Sequence, residues 1–136
     1  MTDLVDITLS EWRQTRFAYG QTDCLLSVGA YLAALGHPPA HREFIGRCTT
    51  QEQAHALMRA HGGPQALLSR FGLPHISPSA AQRGDVVLLD TGCGDMIAGL
   101  CTGGGVAART GRGVVELQRR FFKIPYAWRA QNVIGR

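Results

Sequence analysis

Phe17-Ala-Tyr-Gly-Gln-Thr-Asp-Cys24, followed by Leu25-Leu-Ser-Val-Gly-Ala-Tyr-Leu-Ala-Ala-Leu35, is the stretch on which the reading of this chain turns. Apolar residues at 25, 28, 32 and 35 recur at the i, i+3, i+7 spacing of a helix that buries one face. Asp23 stands where an N-cap belongs, because a carboxylate there accepts an orphan N–H of the first turn. The spacing predicts a helix that opens at Cys24 and stops at Gly36, with His37-Pro-Pro39 preventing its resumption. A cysteine so placed meets the positive end of the helix dipole, which favours the thiolate and lowers the thiol pKa. Cys24 is therefore a candidate nucleophile, framed by a loop containing Tyr19, Gly20 and Asp23. The alternative is a small packing residue beneath an aromatic loop.

Upstream, Thr8-Leu-Ser-Glu11 matches a capping box and predicts a first helix from about Leu9 to Phe17, burying Leu9, Trp12 and Phe17. Downstream, residues 36–49 read as a loop anchored by Phe44 and Ile45. Thr50-Gln-Glu-Gln53 is a second capping box, opening a helix through Ala54, Leu57 and Met58 that Gly62-Gly63 ends. Pro64 suits a first helical position and starts a short helix carrying Leu67, Leu68 and Phe71. Gly72 to Pro78 reads as a connector.

The pattern changes near Ala80. Arg83-Gly-Asp85 turns into Val86-Val-Leu-Leu89, the continuous apolar run of a central strand. Met96-Ile-Ala-Gly-Leu-Cys101, Val106-Ala-Ala108 and Val114-Val-Glu-Leu117 follow, separated by glycine turns in the manner of an antiparallel meander. Tyr126 to Ile134 is expected to form the final strand. Helices first and an antiparallel sheet second predict an α+β fold, in one domain spanning residues 1–136.

Composition narrows the function. The net charge of +4 comes from arginines that are scattered apart from Arg119-Arg120, so no nucleic-acid footprint is expected. No apolar run approaches the roughly 20 residues of a membrane span. Met1-Thr-Asp-Leu-Val-Asp6 lacks the basic and apolar regions of an export signal. The four cysteines, 24, 48, 93 and 101, form no C-x-x-C pair and no zinc-ligand spacing, so no metal or other cofactor is expected and the thiols should be reduced. Arg83-Gly-Asp85 spells an integrin-ligand tripeptide but is better explained as a turn into a buried strand. Gly103-Gly-Gly105 lacks the Gly-Lys-Ser/Thr of a phosphate loop and reads as a hairpin turn. Arg119-Arg-Phe-Phe-Lys123 mixes residue types favoured at contacts with partner proteins.

The order of these parts resembles the NlpC-type cell-wall peptidases, a papain-like superfamily. Three motifs carry the resemblance across residues 17–108. Tyr19-Gly20 leads into Asp23-Cys24 at a helix start, Arg83-Gly-Asp-Val-Val-Leu-Leu89 looks like the family's Pro-Gly-Asp-Leu-Val strand, and Ile97-Ala-Gly-Leu-Cys-Thr-Gly103 is similar to its His-Val-Gly-Ile-Tyr-x-Gly strand. The resemblance implies a papain-like fold with the Cys24 helix packed centrally on the sheet. Pro125-Tyr-Ala-Trp-Arg129, taken with the Arg-Gly-Asp-Val-Val strand, looks more like a short branch encoded in tailed-phage and prophage tail clusters. That narrower resemblance implies a virion component of the tail tip or baseplate, made in the host bacterial cytoplasm. Its partners would be other tail-tip and baseplate proteins, and peptidoglycan if Cys24 is active.

One departure governs the chemistry. Aligning Gly99 with the family's glycine puts Ile97 where the enzymes carry their general-base His, and neither Met96 nor Ala98 can substitute. A thiol needs a base both to ionise near neutral pH and to protonate a leaving amine. The five histidines, 37, 41, 55, 61 and 75, all precede the sheet and none falls where a papain-like dyad needs it. His75 is the compensating candidate, because its connector could fold back over the Cys24 helix. Leu25 replaces the serine of the family's Asp-Cys-Ser triplet. The expectation is a catalytically silent fold; the alternative is a tail-associated peptidoglycan amidase or endopeptidase with a relocated base.

Overall fold

The computed structural model describes residues 3–92 and 95–130, so Cys93 and the strand expected over 131–134 lie outside the described residues. Helices α1 (Leu4–Gln14), α2 (Cys24–Ala34), α3 (Gln51–Ala60) and α4 (Pro64–Ser69) come first. Strands β1 (His75–Ile76), β2 (Val86–Asp90), β3 (Met96–Cys101), β4 (Val106–Thr110), β5 (Gly113–Leu117) and β6 (Lys123–Trp128) follow. The six strands form one sheet in the order β1-β6-β2-β3-β4-β5, every neighbouring pair antiparallel. The protein is α+β, with N-terminal helices and a C-terminal antiparallel sheet.

Strand alternation gives the sheet two apolar faces. On one, Val86, Leu88, Ala98, Leu100, Ala107 and Trp128 form the main core with residues of α1, α2 and α4. On the other, Val87, Leu89, Cys101, Val106 and Ala127 cluster with Ala81, and Ile97 packs against them. Short 3₁₀ turns at Pro78–Ala80 and Arg119–Phe121 flank this second face. Arg119 ties them together by donating to the carbonyls of Ala81 (2.8 Å) and Pro78 (2.6 Å). Arg119 is thus a structural clamp, and only Arg120 of the pair stacks on a neighbouring ring, that of Phe121.

Two local expectations are corrected. The first helix begins at Leu4, because Asp3 is its N-cap and accepts the Asp6 N–H at 2.9 Å, while Thr8 is buried within the helix. The Asp3 carboxylate also receives Arg83 at 3.0 Å, and that hydrogen bond holds it down at about pH 2, below the usual carboxylate range. The helix ends at Gln14, so Phe17 belongs to the following loop. In the 36–49 segment the 3₁₀ turn Arg42–Phe44 aims Phe44 inward and leaves Ile45 exposed, so only one of the two expected anchors is used.

The connector expected at 72–78 contributes β1, whose His75 and Ile76 pair with Trp128 and Ala127. Strand β6 begins at Lys123, earlier than Tyr126, and lies between β1 and β2. It tolerates Pro125 because its pairing with β2 is irregular between Leu88 and Asp90 and β1 covers only its far end. The Arg83-Gly-Asp85 turn is locked into the fold. Gly84 has φ 93° and Asp85 is buried, its carboxylate accepting the N–H groups of Gln82 (2.9 Å) and Ala130 (3.1 Å). Arg129 Nε lies 3.1 Å from the same carboxylate as an ion pair that lacks hydrogen-bond alignment.

Candidate functional site

Helix α2 places Cys24 as its first residue, and Asp23 is the expected N-cap. One oxygen of Asp23 accepts the Leu26 N–H at 3.0 Å and the other the Gly20 N–H at 2.9 Å, so one side chain fixes both helix start and preceding loop. Gly20 has φ 79°, and a Cβ there would sit 1.9 Å from the Cys48 carbonyl oxygen, so no other residue fits. Thr22 closes the loop by donating to Arg16 O (2.7 Å) and accepting from Ala18 N (2.8 Å). Phe17 and Tyr19 meet edge to face with ring centres 4.9 Å apart. The loop is therefore rigid by construction, as its glycine and threonine suggest.

Cys24 is half-buried, free, and one wall of a cavity of about 160 Å³. Burial pushes its thiol up to about 11. The Ala98 backbone N–H and those of Cys24 and Leu25 at the helix start favour the thiolate, but Asp23 opposes them and desolvation outweighs them all. The helix terminus acts in the expected direction and loses to burial. Cys48 lines the same cavity, its thiol also raised by burial.

Strand phase decides what faces the sulphur. Met96 and Ala98 lie on the helix side of β3, in the cluster that contains Cys24. Ile97 packs with Val87 and Leu89 on the opposite face. Met96 is thus the β3 side chain that packs in the Cys24 cluster, next to Ile97, the position that glycine alignment assigned; Ile97 also contributes to the cavity lining. His75 does not line the cavity. It sits on β1, where its Nε2 accepts the Trp128 indole N–H at 3.1 Å.

Two other histidines do line the cavity. His55 projects from α3, and its Nε2 lies 3.8 Å from Asp95 Oδ1. Gln51, Ala54, His55 and Met58 share one face of that helix, an i, i+3, i+4, i+7 pattern that could have flagged His55. His41 packs on Gly29 of α2, and its affinity for a proton is lowered by burial and by Arg42. Arg109 also lines the cavity, from β4, and is only 4% exposed. It was legible as the residue two past Ala107, on the helix-facing side of the strand.

Among the described residues no group of three or more His, Cys, Asp or Glu could hold a metal ion, and no helix is long and apolar enough to cross a membrane. The protein is thus of the α+β class, with helices on one face of an antiparallel sheet and a cysteine opening α2 beside a cavity that reaches solvent. The chain belongs to the family described as a domain of unknown function (DUF6950), whose profile matches residues 2–130. No curated protein matches it.

Proposed function

We propose that the chain is a structural component of a tailed-phage tail tip or baseplate, built on a catalytically silent papain-like fold of the NlpC type. The observation that carries the silent reading is the environment of Cys24. Its thiol is raised to about 11 by burial, and Met96 and Ala98 face it from β3 where the enzymes of that superfamily present a His. The placement of α2 against β3 and β4 agrees with the packing that the resemblance implies. Phe121, 66% exposed and beside Phe122 and Arg120, supports a role held by protein partners. The test is mass spectrometry of purified particles together with digestion of purified peptidoglycan. Presence in the virion and no muropeptide release are the expected results. Absence from the virion would remove the structural-component reading.

A second reading, a tail-associated amidase or endopeptidase using Cys24, is favoured by His55 and Asp95 lining the same cavity. In that reading His55 is the base and Asp95 orients it, while His75 has no part. Muropeptide release lost in His55→Ala and kept in His75→Ala would select it.

A further inference from the structure

Arg109 is a buried cation without an anion. One of its terminal nitrogens donates to the Thr15 carbonyl at 2.8 Å and to the Thr15 hydroxyl, capping the C-terminus of α1. Among the described residues no Asp or Glu lies within ion-pair distance of it, and its other N–H groups carry no hydrogen bond. The helix terminus offsets part of its charge, since the C-terminal carbonyls are the negative end of the dipole. A guanidinium offers five N–H donors; the two on Nη2 are spent on Thr15, which leaves those on Nη1 and Nε to meet a carboxylate.

The cavity it lines is otherwise chiefly apolar. Phe17, Leu25, Leu67, Phe71 and Met96 contribute walls. Of the carboxylates in the lining, Asp23 is engaged by two backbone N–H groups and Asp95 by His55. Exposed Gln51 and Asp95 belong to the lining, so the space opens to solvent. Its volume of about 160 Å³ sets the size of an occupant. An apolar cavity of about 150 Å³ admits a benzene ring, so one ring or one branched alkyl group fits and a long acyl chain does not. An apolar pocket with few convergent polar groups is the usual form of a small-ligand site.

We propose that this cavity binds a small apolar carboxylate, its hydrocarbon part against Phe17, Leu67 and Phe71 and its carboxylate on Arg109. The inference is independent of the tail-component reading and needs no reaction at Cys24. A carboxylate accepts from the Arg109 N–H groups that Thr15 leaves free, and the hydrocarbon fills space that the core leaves open. Such a group comes either from a free acid or from the C-terminal residue of a partner polypeptide, and the experiment separates the two.

Calorimetry on the full chain with 3-phenylpropionate and its neutral amide is the primary test. A second pair of probes is acetyl-Ala-Ala-Phe as free acid and as amide. The acid of at least one pair should bind at least about tenfold more tightly than its amide, as loss of a charge-assisted hydrogen bond implies. Binding of the peptide acid alone assigns the source to a polypeptide end; binding of phenylpropionate assigns it to a free acid. Arg109→Gln should abolish the preference for acid over amide. Because Arg109 also caps α1, a variant that fills the space without touching Arg109 is needed, and Ala54→Leu should weaken both acid and amide at least about tenfold. Equal affinity of acid and amide in the wild type, or no binding of any probe at roughly 10 mM, overturns the proposal.

Discussion

Cys24 offers the sharpest test of strand phase, through two substitutions one residue apart. With its thiol at about 11, the wild-type residue is ionised to only about one part in ten thousand at pH 7. Its alkylation rate should then rise about tenfold per pH unit from 7 to 10 with no plateau, since the thiolate is the nucleophile. Met96 lies in the cluster that contains Cys24, so Met96→His sets an imidazole on the sulphur's side of β3. An imidazolium close to a thiolate lowers the thiol pKa by about 1–3 units, which raises the ionised fraction at pH 7 by about 10- to 1000-fold. Ile97→His sets the same ring against Val87 and Leu89 at the edge of the cavity, where it buries a polar group and should accelerate Cys24 much less than Met96→His does. Pulsed alkylation with peptide mapping separates Cys24 from the other cysteines. A wild-type plateau below pH 9 would refute the burial argument, and a larger acceleration in Ile97→His than in Met96→His would refute the assignment of faces.

Three further outcomes follow from the same contacts. Burial raises the thiols of Cys24 and Cys101 from 9.0 to about 11, so the unfolded chain loses these protons first as pH rises. Their stabilisation is complete below pH 9 and is lost between 9 and 11, by about 3 kcal/mol for each thiol; urea unfolding across that range should show it, with a shallower fall in Cys101→Ala. Gly20→Ala should cost about 2–4 kcal/mol, combining a left-handed φ with a Cβ driven onto the Cys48 carbonyl, and a melting temperature within a degree of wild type would contradict it. Asp85→Ala should cost about 2–4 kcal/mol, because it strands the buried Ala130 N–H and the half-buried Gln82 N–H and removes the anion beside half-exposed Arg129; a loss under 1 kcal/mol in chemical denaturation would show that the network is dispensable.

Local chemistry was readable in the sequence wherever one short segment decides the outcome. Asp23 caps α2, Thr50 caps α3 and Pro64 opens α4 as expected, because each needs only its own neighbours. The capping box at Thr8 was a decoy: Asp3 captured the N-terminus with help from Arg83, a residue 80 positions away. Strand β1 was invisible because two residues have no periodicity, and they are a strand only through Trp128 and Ala127. The cavity was half legible. Cys24 and its loop announced themselves, but which β3 residue faces the sulphur depends on sheet phase, and a shift of one residue exchanges Ile97 for Met96. Helix face and strand phase mark His55 and Arg109 as inward-facing, but that α3 and β4 bring them to the Cys24 cavity is set by docking that no local pattern encodes.

The position of β6 bears on how the molecule is made. It is the last described strand in the order of synthesis, yet it fills the gap between β1 and β2. Its register with β2 joins residues roughly forty apart, with Trp128 opposite Val86. While a nascent chain is still short of Lys123, β2 presents one unpaired hydrogen-bonding edge along an almost wholly apolar strand. Such an edge is a template for pairing with another chain. Crowded polysomes translating this message therefore hold a row of sticky, half-closed sheets. Each becomes inert only when translation has carried Trp128 clear of the ribosome.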